Sequence, residues 1–554
     1  MRKNFYAGIL FWIAVFGIGK GQAQDITSEV VSNLNQAELI AQAEEWDKQG
    51  EMSMNATWVN LTLDMVNEGK WEYSTDGSKR WIYAFKSPGA LAMSLVFDYY
   101  QMPEGCELYF FAKDKSWIEG PFTSNQNKSH HIYRTPEVYG DEAVIEYREP
   151  AGVTGQVKLE LRGLLHFYRM VDDPRMEMGD SREVNSDPCE VDVNCPEGDL
   201  WEKEKHAVVR LSLLSSQGGG LCSGTLVNNT GLDCKNYILT AMHCTEMSTD
   251  ANLLASSARF NFMRSNCGSG LGPTSQQLTG LFLRADSNDG GGATGSDYAL
   301  LEIQDPIPSS WTVYYAGWDA SDALPPTMAN GAKVVCIHHP AGDYMKISQA
   351  SSCTKSTWQA NDRHWRTVWM ATETNHGVTE GGSSGSPIFN DKHQIIGTLT
   401  GGGSFCTTPT AADYYGRVGK HWLASANPNA NGQELSVWLD PTGSGTLNLN
   451  GSYPLVNKLL PCDPASVEDE WLQFKDVVVY PTLINESFTV ELKNNASIQQ
   501  CLVFDANGKL LEERRTDRNT LLFDTTQWAN GVYYLTVKHR NGSFVTKKIV
   551  VAHS

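Results

Sequence analysis

From Arg80 onward, apolar residues come in short alternating runs separated by turn residues, and this pattern confines most of the chain to β architecture. Leu91-Ala-Met-Ser-Leu-Val-Phe-Asp, Cys106-Glu-Leu-Tyr-Phe-Phe, Ala143-Val-Ile-Glu-Tyr and Val157-Lys-Leu-Glu-Leu-Arg are such runs, punctuated by Ser-Pro-Gly, Met-Pro-Glu-Gly and Tyr-Gly-Asp. Residues 28–50 differ, with Glu, Ala, Leu and Gln at helical spacing and no glycine before Gly50. The chain is expected to be all-β apart from this segment.

At roughly 150 residues per domain, the 554 residues allow three or four domains. Two polar stretches without periodicity, Met170–Asp187 and Pro461–Asp469, divide the chain into three modules. Residues 24–182 form an N-terminal module containing a small β-sandwich, and residues 183–455 form the middle one. A linker at 456–474 leads to a second small β-sandwich at 475–554, whose turns are marked by Asn507-Gly and Asn530-Gly. Exposed polar linkers of the first kind are where proteolytic nicking concentrates.

The N-terminus sets the compartment. Met-Arg-Lys-Asn precedes an apolar run of 15 residues, Phe5 to Gly19, and Gly21-Gln22-Ala23 offers small residues for cleavage before Gln24. Residues 1–23 therefore read as a signal peptide, too short for a membrane anchor. In an exported chain, twelve cysteines read as disulfides. Sixty-four acidic residues against 44 basic ones give a net charge of −20, which disfavours nucleic acid and anionic lipid as partners.

Three segments of the middle module carry chemistry. Tyr237-Ile-Leu-Thr-Ala-Met-His-Cys244 is an apolar strand ending in histidine, and Gly295-Ser-Asp-Tyr-Ala-Leu-Leu-Glu302 opens a strand with aspartate. Gly381-Gly-Ser-Ser-Gly-Ser-Pro-Ile-Phe389 is a serine-bearing glycine turn. Acyl transfer by serine needs a base, a buried carboxylate to hold its tautomer, and backbone N–H donors for the oxyanion. Each segment alone is a weak signal. Together, in the order His, Asp, Ser, they describe a catalytic triad.

Thr240-Ala-Met-His-Cys244 and Gly382-Ser-Ser-Gly-Ser-Pro387 resemble the His and Ser motifs of chymotrypsin-fold serine peptidases, and the closer likeness is to bacterial lysyl endopeptidases. Cys195-Pro-Glu-Gly-Asp, Gly224-Thr-Leu-Val-Asn-Asn-Thr, Ala316-Gly-Trp-Asp, Ile337-His-His-Pro, Gly377-Val-Thr-Glu, Tyr415-Gly-Arg-Val and Trp438-Leu-Asp-Pro extend it over about residues 186–453. The resemblance implies a double β-barrel with His243 as base, Asp297 as its orienter and Ser384 as nucleophile. The N–H groups of Gly382 and Ser384 would make the oxyanion hole, and Asp413 would hold a basic substrate side chain. It also implies the bridges Cys189–Cys406, Cys195–Cys267 and Cys222–Cys244. A Cys336–Cys353 bridge is expected besides, while Cys234 and Cys462 have no assigned partner. The sequence carries Thr400 where the family has a histidine stacked on tryptophan, with Trp358 as the candidate tryptophan. His338-His339 belongs to a family segment and is expected to be structural, with no metal and no cofactor.

The flanking modules resemble the propeptides of such proteases and, at the C-terminus, the type A sorting domain of the type IX secretion system. Val479-Tyr-Pro-Thr, Val503-Phe-Asp-Ala-Asn-Gly-Lys, Trp528-Ala-Asn-Gly-Val-Tyr-Tyr and Lys547-Lys-Ile-Val-Val carry the second likeness. The propeptide would assist folding and keep the active site unformed until cleavage. The basic residues nearest the expected mature start are Arg182 and Arg175, so a self-maturing enzyme would accept arginine. The expectation is a monomeric, secreted or surface serine endopeptidase cutting after lysine or arginine. Its partners would be protein or peptide substrates and the secretion machinery. The alternative is a surface binding protein on an inactive protease fold.

Overall fold

The computed structural model describes residues 27–49, 52–169, 186–292, 294–358, 362–423, 433–453, 477–481, 483–493, 498–505, 510–516, 518–539 and 544–553. The signal peptide, both expected cleavage arginines, the second linker and Cys462 lie outside these residues. Among the described residues no helix is long and apolar enough to cross a membrane.

In the N-terminal module, helix α1 (Gln36–Gln49) begins later than the helical spacing suggests. Asn35 ends the preceding extended segment, its side chain accepting from the Glu38 N–H and its carbonyl from the Leu39 N–H, as an N-cap does. A six-stranded sheet centred on Lys79–Lys86 and Glu142–Glu149 packs its apolar face on a second sheet containing β1 (Ser53–Val59), β2 (Ala92–Gln101) and β3 (Lys158–Phe167). Trp81, Phe85, Phe97, Phe110 and Tyr147, all 0% exposed, fill the space between. This is a sandwich, but its second sheet does not end within the module.

The middle module is two closed barrels. The first uses β4 (Val208–Leu214), β5 (Gly218–Val227), β6 (Asn236–Thr240), β7 (Ser257–Phe260), β8 (Leu281–Asp286) and β9 (Ala299–Ile303), paired β7–β4–β5–β6–β9–β8. Gln277–Thr279 pairs with β7 and runs through Gly280 into β8, which closes the ring. The second ring is β10 (Val334–His338), β11 (Lys346–Ser356), β12 (His364–Trp369), β15 (Ala412–Arg417), β14 (Gln394–Gly402) and β13 (Pro387–Phe389), with β13 pairing back onto β10. A shared core that includes Trp201, Tyr298, Trp318 and Phe389 joins the barrels. The C-terminal module is two sheets, of three and five strands, closed over Phe488, Val490, Cys501, Phe523 and Leu535.

Bridges join Cys189 to Cys406, Cys195 to Cys267 and Cys222 to Cys244. Cys234 is also disulfide-bonded, with a partner outside the described residues. The expected Cys336–Cys353 bridge is not made; both are free and buried. The register explains this. Cys336 on β10 faces Ser348 on β11, so Cys353 lies five residues further along. Five residues of strand is about 16 Å, beyond the reach of a disulfide.

Candidate active site

His243 stands just past the end of β6, and Asp297 just before β9, so the pairing of these two strands brings their ends together. His243 Nδ1 lies 2.8 Å from Asp297 Oδ2, and the His243 backbone N–H donates to Oδ1 at 3.0 Å. Asp297 takes a φ of 55°, and its own N–H donates to Asp289 Oδ2 at 2.9 Å, which holds that uncommon backbone conformation. Asp297 is 0% exposed. Burial alone would raise its pKa, but the attraction of His243 and the donors around it hold it below the usual carboxylate value.

Ser384 sits in the turn that enters β13. A side chain at Gly385, where φ is 76°, would strike Thr240 Oγ1 and the Ser223 carbonyl of the first barrel. Ser223 pins the loop twice, its N–H donating to the Ser384 carbonyl and its hydroxyl to that of Gly382. The N–H groups of Ser383, Gly385 and Ser386 are spent on Glu380, Leu399 and Ser383 carbonyls. Those of Gly382 and Ser384 donate to no protein acceptor among the described residues. The Gly381 carbonyl accepts from Ala341 N–H at 2.6 Å, which turns the Gly382 N–H to the opposite side of the same planar peptide. His338 lies beneath, its Nδ1 2.8 Å from Ser383 Oγ and its Nε2 3.1 Å from Ser348 Oγ. Burial lowers both His338 and His339 to a pKa of about 3, so they are neutral hydrogen-bonding groups under the loop.

Asp413, on β15, is 0% exposed. Its Oδ2 accepts from Trp369 Nε1, Ser404 Oγ and Thr379 Oγ1, and its Oδ1 from the Ser404 N–H. All four partners are uncharged. Burial raises its pKa, and these donors offset only part of that shift. A side chain at Gly402 would fall on Oδ1, so glycine keeps that oxygen's surroundings open. Trp369 carries no signal in the sequence. It reads as one more core tryptophan, and only the β12–β15 pairing brings it to the aspartate.

Thr400 and His364 form a further pair, with Thr400 Oγ1 3.1 Å from His364 Nε2. A methyl at Gly292 would meet Thr400, Asp297 and His364 together, so the three surround one point. The Thr400 hydroxyl helps to lower the Asp297 pKa. Trp358 packs on Tyr414, ring centroids 4.3 Å apart, rather than on residue 400. Glu190 and Glu380 are a half-buried acidic pair to which motif reading gave no role. Burial raises both, Glu380 to about 7. Asp187, Glu380 and Cys406 gather donor atoms, but the Cys406 sulfur is spent in a disulfide, so this set does not suit a metal.

Residues 184–416 match the family described as lysyl endopeptidase, C-terminal domain, and residues 478–552 match the secretion system C-terminal sorting domain. The middle module is therefore similar to the lysyl endopeptidase C-terminal domain. A lysyl endopeptidase of Pseudomonas aeruginosa is 28% identical over 332 residues, covering 57% of this chain and 66% of that protein, just under two thirds of its length. Among solved structures, the protease Anisep from Arthrobacter nicotinovorans is 15% identical, covering 38% of this chain and 90% of that one with a TM-score of 0.27. A Glu endopeptidase is 17% identical, covering 38% of this chain and 86% of that one with a TM-score of 0.24. The middle module is followed by a sorting domain that marks the chain for export by the type IX secretion route.

Proposed function

We propose that the chain is an exported serine endopeptidase that cleaves after lysine or arginine through an acyl-enzyme. The observation that carries this reading is the pairing of His243 with the buried Asp297 beside a loop in which the N–H groups of Gly382 and Ser384 are unspent. Ser384 Oγ attacks the scissile carbonyl carbon while His243 Nε2 takes its proton, and Asp297 stabilises the imidazolium through Nδ1. The oxyanion forms against the N–H groups of Gly382 and Ser384, where one such donor is worth roughly 3–4 kcal/mol. His243 returns the proton to the leaving amine, and water then releases the acyl group from Ser384 by the same path.

Asp413 selects the substrate. A buried carboxylate whose partners are all neutral gains most from a cation, and the raised pKa is the sign of that unmet demand. Its Oδ2 is saturated by three donors, which leaves Oδ1 beside Gly402. A single oxygen suits the point charge of lysine better than the two-pronged guanidinium of arginine, so lysine is the preferred residue. Residues 24–182 serve as a propeptide and residues 475–554 as the export signal, neither needed for the chemistry. The test is labelling with a small fluorophosphonate and cleavage of a peptide library by wild type and Ser384→Ala. Loss of both in the variant, with cuts after lysine and arginine in the wild type, supports the reading. Labelling that survives Ser384→Ala ends it.

A further inference from the structure

The second sheet of the N-terminal module continues into the protease domain. Strand β1 pairs antiparallel with β5, Ser53 to Leu221, Met54 to Gly220, Ala56 to Gly219 and Thr57 to Gly218, while its other edge pairs with β3. The next residue of β5, Cys222, is bridged to Cys244, adjacent to His243. Helix α1 covers this bridge, with Leu39, Ile40, Ala43 and Trp46 in one cluster with Cys222, Ala241 and Cys244. At its far end Asp47, held by Arg169 at 2.8 Å, sets its carboxylate against Gly381, whose peptide supplies the Gly382 N–H. The module therefore reaches from the histidine side of the site to the oxyanion loop.

Three observations fix what this covers. First, the donors around Asp413 come from residues 369, 379 and 404, so the N-terminal module supplies none of the groups that hold this carboxylate. Second, β1 runs from N- to C-terminus as it leaves the catalytic end of β5, the direction of a substrate's leaving-group arm departing from the scissile bond. Third, the His243–Asp297 pair and the Gly381–Ala341 bond are both in place with the module docked. The expectation of an unformed site is replaced by an assembled but covered one.

Resting on the endopeptidase reading above, we propose that β1, paired along the Gly218–Leu221 edge of β5 in the uncut chain, blocks the leaving-group arm of polypeptide substrates while Ser384 stays reactive toward small ones. Gly218, Gly219 and Gly220 carry no side chains, so pairing there uses main-chain hydrogen bonds and accepts many sequences. Met52 lies against Gly220, where a Cβ would collide with it. The docked module excludes extended polypeptides by taking their strand position, and it leaves Ser384 able to react with a substrate whose leaving group is small.

The experiment uses the intact 554-residue chain, followed on gels to confirm that it is uncut. A small fluorophosphonate, a lysyl ester with a small alcohol leaving group, and a peptide extending four residues past lysine are compared. The expected result is labelling of the intact band and ester hydrolysis within about threefold of the processed enzyme, with the extended peptide cut at least about a hundredfold more slowly. Ala43→Glu and, as a milder variant, Met52→Ala should relieve the block on the peptide and leave ester hydrolysis unchanged. An intact chain inert to probe and ester, beside an active processed form, would overturn the proposal in favour of a disassembled site. Equal rates on ester and extended peptide would overturn it by showing the edge to be irrelevant. If neither intact nor processed chain reacts with the probe, the endopeptidase reading itself fails.

Discussion

Asp297 and Asp413 are the same residue at the same 0% exposure, yet one has its pKa lowered and the other raised. Burial pushes both upward. Asp297 is brought back down by a histidine that can carry charge and by a main-chain N–H from the same residue. Asp413 is given only neutral donors. The first carboxylate is complete within the fold, and the second, on the proposed reading, is left for a substrate to complete. Burial alone therefore does not separate a positioning aspartate from a binding one, whereas the charge of the partner does.

The comparison breaks most visibly with Asp297→Asn, which should lower kcat/KM by about 10⁴-fold for basic and apolar substrates alike, through the wrong imidazole tautomer. Asp413→Asn should cost lysyl substrates about 30-fold to several thousandfold, the price of an unpaired buried ammonium, and apolar substrates little. A uniform loss across substrates in steady-state kinetics would erase the distinction. The two variants should also move thermal stability in opposite directions at pH 7. A raised carboxyl pKa means the folded state disfavours the ionised form, so its contribution is fully present below the unfolded pKa and lost as pH rises through the folded one. Removing that charge in Asp413→Asn should raise the Tm at pH 7, and removing the stabilised charge in Asp297→Asn should lower it, as calorimetry can read.

Smaller effects sharpen the picture. Below the raised pKa of Asp413 the carboxyl is neutral and stops attracting an ammonium, so the ratio of lysyl to leucyl kcat/KM should fall as pH is lowered. Trp369→Phe removes one donor to the carboxylate, should move that transition to higher pH and should weaken lysyl turnover about fivefold, near 1 kcal/mol. The smallest change is expected for Thr400→Val, a loss of about two- to threefold with all substrates, because one hydroxyl between Asp297 and His364 disappears.

The three triad motifs were legible because each is a local pattern, a histidine or aspartate at a strand end and a serine among glycines. What surrounds them was not. Trp369 and His364 lie on a strand rich in tryptophan, and their neighbours are set by pairing with β15 and β14, tens of residues away. Gly218–Gly220 gives no strand signal, because glycine is depleted in strands, yet all three are buried in β5 and paired with β1, Gly219 and Gly220 with β4 as well. Alternation revealed the sandwich from Arg80 onward, while β1, which does not belong to that sandwich alone, was missed. Local spacing reports the residues proposed to do the chemistry, and long-range register decides which groups surround them.

The bond between Cys222 and Cys244 carries one more consequence. It ties the strand that anchors the nucleophile loop to the turn that bears the histidine, and such bonds persist only where the surroundings are oxidising. In a reducing cytoplasm the same polypeptide lacks that clamp at its reactive centre. On the proposed endopeptidase reading, redox conditions thus act as a border check that would shield the cell making this chain, alongside the proposed N-terminal cover.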